Sequence, residues 1–305
     1  PKLGTSFYTL GKSAAGPQFV RQTHSCLQCH ASSHTDGVPG HIVRSVYPAP
    51  DGTPSYRAGT FRTGQTSPFE QRWGGWYVTG THGELRHMGN VLVHDPDAAE
   101  LLDVEAGANL RDLSAKFDTA PYAAGHSDIV ALLVLEHQTQ LHNLMTAANF
   151  ETRRALHHQA MMNRLFKDPD DYQRDTTKSR ISNACRRLVQ YMLCVGEADL
   201  TAEVTGSSDF AREFAARGPF DSQGRTLRQL DLKTRVFQYP CSYLIYSSSF
   251  DALPPAALDQ VYRQLHDVLT GKDRDEQFSH LSDADRQAIF EILRDTKPDL
   301  PAEWH

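Results

Sequence analysis

No run of about 18 apolar residues occurs in this chain, so the sequence offers no membrane-spanning helix. It has no surplus of positive charge either. Lys and Arg number 31 against 37 Asp and Glu, the net charge is −6 and the isoelectric point lies near 6.2, which argues against general nucleic-acid binding. The P-loop, GxGxxG, GxSxG and HExxH patterns are missing, so nucleotide, hydrolase and zincin readings have no support. Asp221-Ser222-Gln223-Gly224-Arg225 lacks alternating acidic ligands and a closing Glu, and reads as a turn, not a calcium loop. Internal repeats and low-complexity tracts are absent. At 39% apolar and 22% charged residues the composition is that of a folded soluble protein, and 305 residues suffice for one or two domains with a sizeable core. The chain begins at Pro1 with no charged-then-apolar leader, and is expected to be a mature product whose targeting segment has been removed.

Composition changes near residue 95. Residues 1–95 hold 13 of the 20 glycines and 7 of the 16 prolines, and carry eight Lys and Arg against five Asp and Glu. The remainder carries 23 against 32. Gly-rich, Arg-rich irregular chain is suited to wrapping a ligand and poorly suited to forming a core alone. Beyond it the sequence reads as helical. Residues 127–167 contain no Gly or Pro, Ser127-Asp128 is an N-cap signal, and Asp168-Pro169 ends the run. Val130, Leu133, Val134, His137, Leu141, Leu144, Met145 and Ala148 form an amphipathic stripe along it. The stretch is expected either as one long helix or as two, broken near 147–151. Further helices are expected at about 183–196, 208–217, 255–270 and 283–295, and strand-like pieces at 76–79, 91–94 and 243–246. The Tyr239–Tyr246 stretch is aromatic-rich and reads as core packing. The fold class is mainly α: a helical body with an irregular Gly/Pro/Arg-rich N-terminal region and a few short strands.

Among only five cysteines, two stand in Cys26-Leu27-Gln28-Cys29-His30. Two thiols one helical turn apart can each add to a vinyl group of a porphyrin, and the adjacent imidazole then faces the iron from the same side. Residues 17–28 read as a short helix delivering this motif. At these five residues the sequence resembles the c-type cytochromes, and its wider pattern resembles large bacterial cytochrome-like proteins, which adds no activity. The resemblance implies one covalent haem c, with His30 as proximal ligand, and a periplasmic or otherwise extracytoplasmic location. It obliges no small-cytochrome fold. Residues 1–95 are then the haem c-binding region, and 96–305 a mainly helical region packed against it in one compact unit. Two other readings of the pair stand beside this one: a thioredoxin-like redox couple, which needs a βαβ context, and a zinc site using His24 and His34, which usually brings a second ligand pair. Cys185, Cys194 and Cys241 remain, with Cys241 pairing to one of the others, or all three buried as free thiols.

The opposite face of the iron decides the function. A carrier closes it with His or Met, whereas an enzyme or gas sensor leaves it open. Candidates are His82, His87 and Met88, in a Gly-rich loop that follows Trp73-Gly74-Gly75-Trp76-Tyr77, and His137 on the helical stripe with Met145 on the same face. An open site, Met161 or a partner chain are the alternatives. Arg44, Arg57, Arg62 and Arg72 are candidates to pair with haem propionates, and Trp76 to pack on the porphyrin edge. Three functions follow. The first is an extracytoplasmic monohaem cytochrome passing single electrons to a redox partner protein, alone or within a multi-subunit complex. The second is a haem enzyme of peroxidase or oxygenase type, with Glu136 and His137 as acid–base candidates. The third is a structural or sensory haem-bearing subunit.

Overall fold

The computed structural model describes residues 4–13, 16–95 and 102–305. The boundary expected after residue 95 abuts residues 96–101, which lie outside the described residues. The fold is mainly α, with seven α-helices and three two-stranded sheets among the described residues. No helix there is long and apolar enough to cross a membrane.

The Gly- and Pro-free stretch forms one unbroken helix, α2 (Ile129–Phe166), of 38 residues, about 57 Å at 1.5 Å per residue. Asp128 caps it by accepting from Val130 N (2.8 Å) and Ala131 N (3.3 Å), and its other carboxylate oxygen takes Ser208 N at 2.8 Å. Lys167 ends it in the left-handed region at φ 59°. Helix α3 (Asp175–Met192) folds back antiparallel on α2. The pairs Asn163–Arg174, Glu151–Arg180 and His137–Tyr191 run in opposite senses along the two helices. Helix α6 (Pro255–Leu269) packs on α3 through Cys185 and Gln264, and α7 (Asp283–Thr296) follows, opened by a capping box between Ser282 and Asp285. The core cluster contains Met145, Leu188, Met192, Phe237 and Ile289 of the helical region together with Phe69, Trp73 and Val78 of the first 95 residues. The two compositional regions therefore share one core.

Several expected elements differ. Residues 17–28 are not a helix. Residues 17–22 belong to strand β2 (Gly16–Gln22), paired antiparallel with β1 (Phe7–Ser13) so that Leu10 faces Phe19 and Tyr8 faces Arg21, and residues 23–26 turn into the motif. Period-two alternation across a hairpin stabilises these residues, and their apolar-polar mix resembled a helical face only in isolation. Helix α1 is confined to Leu27–His30. Residues 76–79 and 91–94 form no strand, and Tyr243–Tyr246 is a 3-10 turn opened by Ser242. The short strand β5 (Gly80–Thr81) pairs instead with β6 (Thr205–Gly206), tying the Gly-rich loop to the helical region.

A buried ion pair fixes the same contact. Arg72 Nη1 meets Glu136 Oε2 at 2.7 Å, with both side chains almost fully buried. The other guanidinium hydrogens go to the carbonyls of Ser67 and Gln65. Burial lifts the Glu136 carboxyl above its ordinary range even beside Arg72, so Arg72→Met leaves a buried carboxyl without its counter-charge and is expected to cost about 3–5 kcal/mol in urea unfolding at neutral pH. Arg72→Met/Glu136→Gln should recover much of that loss; a double variant no more stable than the single one would contradict this account.

Candidate functional site

The motif lies at the foot of the β1–β2 hairpin. After β2 the chain turns into one short helical segment, in which Gln28 N bonds His24 O (3.2 Å), His30 N bonds Cys26 O (3.0 Å) and Ala31 N bonds Leu27 O (2.9 Å). Helical spacing of three and four residues places Cys26, Cys29 and His30 on one face. Cys26 is half-buried and Cys29 exposed, and no disulfide joins any of the five cysteines. Cys185, Cys194 and Cys241 are buried thiols; Cys194 lies beyond the end of α3, and burial raises Cys185 and Cys241 to about 12.

His30 is held from its Nδ1 side. That nitrogen lies 3.0 Å from Gly40 O and donates to it, while Gly40 N returns a bond to His30 O at 2.8 Å. A neutral imidazole donating at Nδ1 carries its lone pair on Nε2, the tautomer of an imidazole prepared to bind a metal. The Phe7 ring flanks the imidazole with centroids 4.6 Å apart. The loop after the motif is anchored twice. Arg62 Nη1 donates to Ser33 O (3.2 Å) and His34 O (2.8 Å). Asp36 pairs with Arg187 of α3 and accepts from Gln140 Nε2 of α2 at 2.9 Å. Buried Asn143 of α2 bonds both backbone groups of His41, accepting from its N at 2.9 Å and donating to its O at 2.8 Å. Phe7, Gly40, His41 and Asn143 had no sequence signal linking them to the motif, since Asn143 is 102 residues from His41.

The expected iron ligands sit in other surroundings. His82 uses both ring nitrogens: Nδ1 donates to Leu85 O (2.7 Å) and Nε2 accepts from Asn109 N (3.0 Å). His87 packs against it with ring centroids 4.8 Å apart, between Phe69 and Trp73, and its Nδ1 accepts from Gly89 N at 3.0 Å. Met88 is buried, its thioether accepting from Ser45 Oγ at 3.6 Å. His137 is sealed between Gln65 Oε1 (2.6 Å) and Ser242 Oγ (2.7 Å). No hydrogen bond or ring contact joins any of these four to His30 among the described residues. Near His30 stands His41, held below its ordinary value by burial and by the neighbouring His30 ring. Arg44 bonds Thr60 Oγ1 (2.8 Å) and lies over the Tyr56 ring, Arg57 is exposed in the adjacent turn, and Trp76 donates to Arg44 O at 2.8 Å. Met161 is exposed on the distal half of α2.

No family model matches the chain, and neither the curated proteins nor the solved structures contain a match. Among the described residues no three His, Cys, Asp or Glu side chains come together as a metal-holding group. The resemblance to c-type cytochromes, and the wider one to large cytochrome-like proteins, is thereby corrected. Five residues resemble that family, but the chain as a whole does not. The same finding leaves a structural zinc site around His24 and His34 without its ligand set, since such sites take about four ligands. What the segment does hold is chemical: two thiols and an oriented imidazole on one turn.

Burial pushes both His87 and His137 down to about 3 from 6.5. Between those values the unfolded chain binds protons that the folded chain refuses, so stability falls as pH drops below about 6.5. Each histidine is expected to add roughly 1.4 kcal/mol of loss per pH unit in that window. Urea midpoints between neutrality and mild acid check it, and His137→Gln should flatten the slope by one histidine's share.

Proposed function

We propose that this protein carries one covalent haem on Cys26 and Cys29, with His30 as an axial ligand, and that it passes single electrons outside the cytoplasm. The observation that carries the reading is the His30 Nδ1 to Gly40 carbonyl hydrogen bond, on the same helical turn as two thiols outside any disulfide. These donors fit the group: two accessible sulfurs suit thioether bonds, and the backbone acceptor fixes the imidazole tautomer that leaves Nε2 for iron. Haem held there supplies one-electron redox chemistry. Haem attachment through two thioethers takes place outside the cytoplasm, which supports a periplasmic or otherwise extracytoplasmic setting. A redox partner protein or larger assembly would give the helical body a docking role, because haem binding uses only a small part of it.

Arg44, Arg57 and Arg62 belong to the cationic N-terminal region and remain the candidates for propionate pairing. Arg72 does not suit that role, being enclosed by Glu136 and two carbonyls. The enzyme alternative would need Glu136 or His137 to meet a substrate. Both are only 1% exposed, Glu136 holding Arg72 through one carboxylate oxygen and His137 bonded at both ring nitrogens, so neither faces a space a substrate could enter.

Expression in a host that attaches haem in its periplasm should yield a chain heavier by one haem, and Cys26→Ala/Cys29→Ala should abolish that mass increase. A wild-type chain without added mass would overturn the reading. Six-coordinate low-spin iron unchanged by carbon monoxide is expected of a carrier, whereas rapid cyanide binding to high-spin ferric iron would sink electron transfer in favour of catalysis or sensing.

A further inference from the structure

We infer that Asn143 is a positioning residue for His30, acting through the Gly40–His41 peptide. The inference deepens the haem reading above and rests on it for its functional meaning, though the positioning exists in the polypeptide by itself.

Asn143 stands in the middle of α2 and is 1% exposed. Its Oδ1 accepts from His41 N at 2.9 Å and its Nδ2 donates to His41 O at 2.8 Å, with Gln140 Oε1 at 3.3 Å as a further acceptor. A backbone N–H and C=O presented together leave the amide one orientation, because the flipped side chain would set donor against donor and acceptor against acceptor. The peptide nitrogen of His41 belongs to the same planar unit as the Gly40 carbonyl. In a trans peptide the N–H and C=O point in opposite directions. Anchoring the N–H on Asn143 therefore aims the Gly40 oxygen away from α2, towards His30 Nδ1, 3.0 Å distant. Hydrogen bonds in series through one peptide polarise one another, so the Asn143 contact also strengthens the acceptor that His30 meets.

Residue 40 has to be glycine for this approach. A Cβ there would collide with the Asn143 amide oxygen and come within 3.1 Å of Thr35 Cβ. The helical body thus reaches the motif through three groups in series: a buried amide, one peptide plane and an imidazole.

A stronger acceptor at Nδ1 makes an imidazole more electron-rich at Nε2 and favours ferric iron. In the holoprotein, Asn143→Leu and, independently, Gly40→Ala should leave the covalent haem mass unchanged. Both should shift the midpoint potential upward and weaken the iron–imidazole vibration. The second readout needs no haem. In Cys26→Ser/Cys29→Ser protein at alkaline pH, imidazole nitrogen chemical shifts should report the proton fixed on His30 Nδ1. Adding Asn143→Leu or Gly40→Ala should convert this to a mixture of tautomers. A merely structural role would lower the urea midpoint and move neither the tautomer nor the potential. If Asn143→Leu does not fold, Gly40→Ala in the irregular region carries the test. Unchanged tautomer and potential in a folded variant would overturn the proposal. A chain that takes up no haem but shows the tautomer shift would sink the haem reading and leave Asn143 as the residue that orients His30.

Discussion

Three buried polar side chains on α2 take their partners from the N-terminal region, and the way the two regions sit together follows from those contacts. Glu136, His137 and Asn143 are each 1% exposed, and leaving such a group without a partner costs about 1–3 kcal/mol, more for a charge. The irregular N-terminal region answers all three. Arg72 meets Glu136, Gln65 meets His137, and the His41 backbone meets Asn143. Apolar surface alone would let the loops slide along the helix with little penalty. Three directional contacts allow one register, because any displacement unpairs several buried groups together.

Where local chemistry sets an element, the sequence showed it. The span of α2 follows from a long Gly- and Pro-free stretch, and α6 and α7 start at Pro254-Pro255 and Ser282-Asp283, where short-range capping decides. Of the site, the sequence showed Cys26, Cys29 and His30 and nothing of their support. The β1–β2 hairpin was hidden because its stability lies in cross-strand pairs such as Leu10 with Phe19, which no single window contains. Partners distant in sequence hid the rest. The groups bonding His137 lie 72 and 105 residues away, so a histidine on an apolar stripe looks the same whether it binds a metal or closes a core network. Residue type was readable there; occupation of the ring nitrogens was not.

The hairpin has the opposite character to α2. Tyr8, Leu10 and Phe19 share one face and are 56%, 58% and 79% exposed. A two-stranded ribbon is marginal by itself in water. It is linked to the body through Phe7 against the His30 ring and, just before β1, through Thr5 N donating to Pro39 O at 2.9 Å. The Cys26–His30 turn therefore joins a weakly supported ribbon on one side to a loop pinned at Arg62, Asp36 and Asn143 on the other. Rigidity at the motif comes from the C-terminal side, where each anchor leads to β4 (Thr60–Arg62), α2 or α3.

This asymmetry bears on why a backbone carbonyl, and not a carboxylate, receives the His30 proton. A carboxylate would bring a negative charge and its own titration to the site. The Gly40 carbonyl brings neither, and its direction is set by a peptide plane, not by side-chain torsions. A neutral acceptor so fixed selects one tautomer of the neutral ring without adding a charge to the site. The strength of that acceptor is then set inside the helical body, at a residue far from the motif in sequence. A body much larger than one cofactor requires has a physical use on these terms: it holds one peptide plane still.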